Sequence, residues 1–236
     1  EKKLKVPFLE FERDGSDFTT ITTNAFGHYF NGDGTRLYYH TGTDDFYYVP
    51  LSTAYDLSSG GAVTTGLLNL NTITDGSPQF RGTTFNADGS TIYIVNHDAA
   101  NEIFVLPLNT NYDIASANYT NDAVYKLGTD FGITTPGDTG SWRNNSGNTL
   151  TFNGDGTRLY LNASTQNNLF EIPLTTAYDL SSSGTVVTRD LSTILTSVDA
   201  NFDLYDFQFT SDGKYAICAS DYSTAHDSVA VLELST

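Results

Sequence analysis

With 236 residues, a formal net charge of −17 and 39% hydrophobic content, the chain has no cationic surplus for a phosphate backbone and too much apolar surface to stay disordered. Nucleic acid is therefore excluded as a partner, and a polar remainder rich in Thr, Ser, Asn, Asp and Gly suits strands and turns better than helices. The single cysteine, Cys218, permits no internal disulfide, and no apolar run reaches the roughly 20 residues that span a bilayer, so no membrane insertion is expected.

The acidity reads as a device for solubility through mutual repulsion. The chain has no Met and starts at Glu1, which predicts a processed or trimmed form; no signal peptide is visible. Residues 4–11 form an apolar strand in which Pro7 cannot donate a ladder hydrogen bond, so an edge position is expected. A polar turn at Arg13-Asp14-Gly15-Ser16 follows.

The first full unit begins with a short strand at Phe26 to Phe30 and reverses through Asn31-Gly32-Asp33-Gly34. Gly34 supplies the positive φ that a type I turn with a bulge needs, and Asp33 can bond nearby amides. Strands at Leu37 to His40, Phe46 to Leu51 and near Val63 to Leu70 complete the unit, with the turn-rich Ser52 to Ser58 before the last.

This pattern returns three times. Phe30, Phe85, Phe152 and Phe209 head the hairpins at spacings of 55, 67 and 57 residues, and the turns carry Asp33-Gly34, Asp88-Gly89, Asp155-Gly156 and Asp212-Gly213. The second and third units add the strands Ile103 to Leu108 and Leu169 to Leu174, each followed by a Tyr-Asp connection at Tyr112-Asp113 and Tyr178-Asp179. The last unit supplies three strands, at Tyr205 to Phe209, Tyr215 to Ala219 and Val229 to Leu234, before Ser235-Thr236. No stretch holds a helical period, so almost no helix is expected.

Four four-stranded antiparallel units, one short of a strand, and one spare N-terminal strand predict an all-β, four-bladed β-propeller closed by that strand. The single domain covers 1–236, with the closing strand at 4–11 and blades at about 25–71, 79–129, 148–192 and 204–234. The Asp-Gly turns and Tyr-Asp connections crowd one face; the loops that differ between units share the other, where a binding site is expected.

On that variable face the long connection between the second and third units carries Trp142, Arg143, Asn144 and Asn145. Trp142 there either stacks on a sugar ring or anchors a protein partner, or else plugs the mouth of the central channel. Asp44, Asp45, His97, Asp98, Tyr222, His226 and Asp227 complete the candidate ligand or partner surface. One carboxylate per Asp-Gly turn falls short of a calcium loop, and the histidines lack partners at zinc spacing, so no metal and no cofactor are expected, Ca2+ being the ion the turns come nearest to holding. Arg36 and Arg158 share a repeat position and read as scaffold, while Arg13, Arg81, Arg143 and Arg189 form no evident triad of the kind sialic-acid-cleaving propellers use. No nucleophile elbow, phosphate loop or zinc-protease helix is present.

The unit F-x-x-D-G-[TS]-x-[LI]-Y followed by P-L-[SNT]-T-x-x-Y-D-[LI] resembles propeller-like repeats of bacteriophage virion and tail-associated proteins and of bacterial surface proteins, over residues 26 to 234. The resemblance implies a structural or adhesive module rather than an enzyme, extracellular or virion-associated, whose partner is another virion or surface protein or a cell-surface glycan. The fourth unit departs from it, with Glu233 in place of Pro and no Tyr-Asp segment. The alternative is a secreted propeller glycoside hydrolase or lyase using acidic residues such as Asp98 and Asp227.

Overall fold

The computed structural model describes residues 26–40, 46–64, 68, 80–96, 101–133, 149–163, 167–210, 213–220 and 228–234. They form four antiparallel sheets. The first joins β1 (Phe26–Phe30), β2 (Arg36–His40) and β3 (Phe46–Pro50); the second joins β4 (Phe80–Phe85), β5 (Thr91–Asn96), β6 (Glu102–Pro107) and β7 (Ala123–Lys126). The third joins β8 (Leu150–Phe152), β9 (Arg158–Ala163), β10 (Asn168–Pro173) and β11 (Val187–Asp190), and the fourth β12 (Leu204–Phe209), β13 (Tyr215–Ser220) and β14 (Val229–Glu233). Each strand pairs with its neighbour in sequence.

β1 packs on β4, β4 on β8 and β9 on β12, and the first strands of all four sheets line one cavity, the four-blade arrangement of a β-propeller. Of the fourth strand expected in the first unit, Thr64 bridges to Tyr48. The expected closing strand at 4–11 lies outside the described residues. Among the described residues helix is confined to the single-turn α1 (Leu127–Phe131) and α2 (Ser192–Thr196) and to 3-10 turns in the Tyr-Asp connections. Among the described residues no helix is long and apolar enough to cross a membrane.

Middle strands covered on both faces lose the in-out alternation of a half-exposed strand: β2 is buried from Leu37 through His40 and β5 from Ile92 through Asn96, whereas β13 in the fourth sheet alternates, with Tyr215 and Ile217 exposed. Tyr38, Phe46, Phe80, Phe85 and Phe104 pack between the first two sheets, Tyr93, Leu150, Leu161 and Phe170 between the next two, and Leu169, Leu204, Phe207 and Cys218 between the last two. Burial pushes the Cys218 thiol up to about 11, so it stays protonated at neutral pH and serves as a small core residue.

The repeated turns are locked from within. Asp33 accepts from the Thr35 amide at 2.9 Å and its hydroxyl at 2.6 Å, and the Asn31 side chain accepts from the Arg36 amide at 2.8 Å. Asp88 and Asp155 accept from the Ser90 and Thr157 amides in the same way, and these bonds hold all three carboxyls below the usual range. The carboxylates are thus occupied by the turn itself.

Each Tyr-Asp connection then folds over the turn of its own unit. The amides of Tyr55, Tyr112 and Tyr178 each donate at 2.8 Å to the carbonyls of Gly34, Gly89 and Gly156, and their rings lie where a side chain on those glycines would go. A Cβ on Gly156, at φ +72°, would stand 2.2 Å from the Tyr178 ring. Neighbouring units are stitched together as well: the Tyr38 hydroxyl donates to the Tyr112 carbonyl, and that of Tyr93 to the Tyr178 carbonyl at 2.6 Å. Phe209 takes the Tyr160 ring at 4.7 Å, as Phe85 takes Tyr38 and Phe152 takes Tyr93, but the fourth unit lacks a Tyr-Asp segment, and among the described residues nothing covers Gly213.

Candidate functional site

The innermost strands begin as short extended segments ahead of each hairpin Phe, and three of them carry a bulge. Phe26 pairs with His40 and Tyr29 with Tyr38; Phe80 pairs with Asn96 and Thr83 with Ile94; Leu204 pairs with Ser220 and Asp206 with Ala219. Each first strand thus holds one residue more than its partner, which bends the strand and re-aims its side chains. The extra residues fall among Gly27-His28, Arg81-Gly82 and Tyr205.

These are the residues that line a cavity of about 200 Å³ on the axis. His28 and Tyr29 enter from β1, Arg81, Thr83 and Thr84 from β4, Thr149 and Thr151 from the β8 segment, and Tyr205, Asp206 and Gln208 from β12. β4 contacts both β1 and β8, and Arg81 on β4 and Asp206 on β12 line the cavity from separate sheets. Thr149 donates its hydroxyl to the Asp206 carboxylate, fixing it in place.

His28 is open to solvent in the cavity mouth, yet the surrounding strands desolvate its ring enough to lower its pKa below 6.5, with Asp206 pulling the other way. The imidazole is therefore neutral at pH 7 and able to accept a proton, and Asp206 steadies the charge it would gain. Burial likewise lowers the Arg81 guanidinium from its ordinary value while Tyr205 opposes the shift; it remains a cation. Thr83, 5% exposed, brings a buried hydroxyl oxygen with no hydrogen-bond partner, a group that costs about 1 to 3 kcal/mol unless something answers it.

Two buried side chains at one repeat position hold these bulges from the preceding sheet. His40 Nε2 donates to the Arg81 carbonyl at 2.7 Å, and Gly27 makes room, since a Cβ there would lie 2.5 Å from the His40 ring. At the corresponding place Asn162 donates to the Leu204 and Tyr205 carbonyls at 2.7 and 3.3 Å and accepts from the Thr149 amide at 2.6 Å. Both are 0% exposed.

The residues proposed from sequence for ligand or partner binding, Trp142, Arg143, Asn144, Asn145, Asp44, Asp45, His97, Asp98, Tyr222, His226 and Asp227, all lie outside the described residues, as does Asp212 of the fourth turn. The expected scaffold arginines sit away from the axis. Arg36 stacks over the Tyr48 ring at 5.2 Å, and Arg158 pairs with Glu171 at 3.3 Å. Among the described residues no group of three or more His, Cys, Asp and Glu could hold a metal ion. His28, Arg81, Tyr205 and Asp206 escape a motif search because they do not repeat. That irregularity, immediately before four repeated hairpins, is itself the signal that could have found them.

No family model and no curated protein matches the chain. Solved structures do resemble it. A Bacteroides uniformis protein named provisionally as a 6-phosphogluconolactonase aligns over 86% of this chain and 51% of its own at 17% identity and a TM-score of 0.47. The periplasmic gluconolactonase PpgL of Pseudomonas aeruginosa aligns over 89% of this chain and 57% of its own at 13% identity and a TM-score of 0.47. This chain thus spans little more than half of either.

The expectation of a non-catalytic structural or adhesive module is corrected here. The two structures just named carry the names of lactonases. The axial cavity of this chain brings together an imidazole, a carboxylate and a guanidinium, and on that ground the reading as a non-enzyme is withdrawn. At this similarity the neighbours assign no residue a role. The alternative built on paired acidic loop residues finds one carboxylate, Asp206, among the described residues lining the cavity.

Proposed function

We propose that the chain is a hydrolase acting in the axial cavity on a small, hydroxyl-bearing ester or lactone. The observation that carries this is the convergence of His28, Arg81 and Asp206 from strands whose bulges break the repeat. Neutral His28 takes a proton from water as the water oxygen attacks the carbonyl carbon, and Asp206 steadies the imidazolium. Charge developing on the carbonyl oxygen is met by Arg81. Collapse then breaks the bond to the alkoxide, which takes the proton back from His28, leaving an alcohol and a carboxylic acid that ionises in water. The hydroxyl and amide groups of Thr84, Thr151 and Gln208 suit a hydroxylated substrate.

A pH-stat assay over small esters and sugar lactones tests the reading, with gluconolactone a first probe of suitable size. Wild type is expected to hydrolyse at least one member, and His28→Gln to lose about a hundredfold or more of that rate while keeping its melting temperature. A wild type inert to the whole panel, or an undiminished rate in His28→Gln, refutes it.

Closure of the ring is a separate proposal: residues 4–11 pair with the outer edge of β14, the last strand of the fourth sheet. Amide exchange tests it, protection at 4–11 supporting the strand and exchange at the unfolded rate refuting it. An extracellular or virion-associated setting is likewise proposed, from the repeat resemblance alone. Mass spectrometry of culture medium and of purified particles tests it.

A further inference from the structure

We infer that Arg81 and Thr83 together form a seat for a small oxyanion, a carboxylate or a phosphate, within the axial cavity. The two residues stand two apart on β4 and both line the cavity. A guanidinium is a planar fork that matches the oxygens of a carboxylate or phosphate, and a hydroxyl beside it adds one more donor. Thr83 is the independent sign of a ligand: its hydroxyl oxygen is buried, faces no protein partner, and belongs to a residue that is 5% exposed.

The rest of the cavity gives the seat a direction. Asp206, held by Thr149 and carried by a different sheet from Arg81, repels an anion placed near it, so the negative group is driven to the β4 side. A body of net charge −17 offers anions no general attraction, which leaves the local guanidinium to bring one in. The hydrolase reading enters only in naming one source, since ester cleavage would leave its carboxylate on the oxygen that Arg81 holds; a phosphate would come instead from a phosphorylated substrate.

Titration calorimetry with gluconate and, separately, with inorganic phosphate tests the seat on wild type, Arg81→Gln and Thr83→Val, each checked for an intact fold by thermal melting. Thr83→Val keeps the shape of a side chain whose hydroxyl has no partner, so it should fold normally. Wild type is expected to bind at least one anion, weakened about tenfold or more by Arg81→Gln and about two- to tenfold by Thr83→Val. Binding of gluconate alone assigns the seat to carboxylates, and of phosphate alone to phosphorylated molecules. No binding of either, or binding that both variants leave unchanged, overturns the inference. Anion binding that depends on both residues in a chain that cleaves no ester supports the seat and refutes the hydrolase; ester cleavage with no anion binding does the reverse.

Discussion

Replacing Gly156 with Ala tests how the repeated turn and the Tyr-Asp connection hold each other. Gly156 sits at φ +72°, so any side chain costs about 1 kcal/mol for the left-handed backbone alone. The new Cβ also lands 2.2 Å from the Tyr178 ring, which must leave its place against the core and its edge contact with Phe152 at 4.9 Å. Losing that contact and part of the buried ring adds about 1.5 to 2.5 kcal/mol, for a total near 3. Gly213→Ala shares the backbone penalty, at φ +66°, but meets no atom of the described residues within 4 Å and should cost about 1 kcal/mol. Urea unfolding of both variants, with Tyr178→Ala and the Gly156→Ala/Tyr178→Ala double variant, separates the two contributions. The double variant should be less destabilised than the sum of its parts by about 1 to 2 kcal/mol. Equal losses at Gly156 and Gly213, or strict additivity in the cycle, would refute the claim that the tyrosine ring fills the glycine's place.

Two buried titrations should shape stability against pH. His40 is held neutral down to about pH 3, against an ordinary 6.5, so below 6.5 the unfolded chain takes up a proton that the folded one refuses. Stability from this residue is whole above pH 6.5 and drains by about 1.4 kcal/mol per pH unit towards 3. His40→Asn keeps an amide donor for the Arg81 carbonyl, and the unfolding free energy of wild type minus that of the variant should fall by about 1.5 to 2 kcal/mol between pH 6.5 and 5; a flat difference would show that His40 titrates freely. Asp203 runs the opposite way, burial raising it from 3.8 to about 6, so the cost of its charge appears as pH rises through that window. Asp203→Asn should stabilise by about 1 to 2 kcal/mol at pH 7.5 and not at pH 3.5, allowing for partial exposure; an equal effect at both would remove the desolvation account.

The blades were legible because one turn chemistry recurs. Asp and Gly at fixed offsets after a Phe announce the same hairpin each time, and the apolar runs place the first three strands of each described unit within a residue or two of where they form, whereas the strand expected near Val63 to Leu70 is represented by the Thr64 bridge to Tyr48. What the Tyr-Asp segment does was not legible: its tyrosine reaches back over a glycine about 20 residues earlier, and such a contact has no local signature. The cavity was hidden for a related reason. A bulge is a mismatch between two strands, so Arg81 reads in one dimension as an arginine without a triad, and His28 as a histidine without a zinc partner. Variability pointed to the loops, whereas the described residues place it also on the innermost strands, where three sheets re-aim a side chain towards the axis.

The pH dependence of hydrolysis in wild type and Asp206→Asn tests the central claim most directly. Burial lowers the pKa of His28 and Asp206 raises it, so activity should fall with acid through a midpoint below 6.5, and neutralising Asp206 should move that midpoint lower still. A midpoint above 6.5, or one that Asp206→Asn leaves in place, would contradict a reaction run by His28 beside Asp206 in the axial cavity.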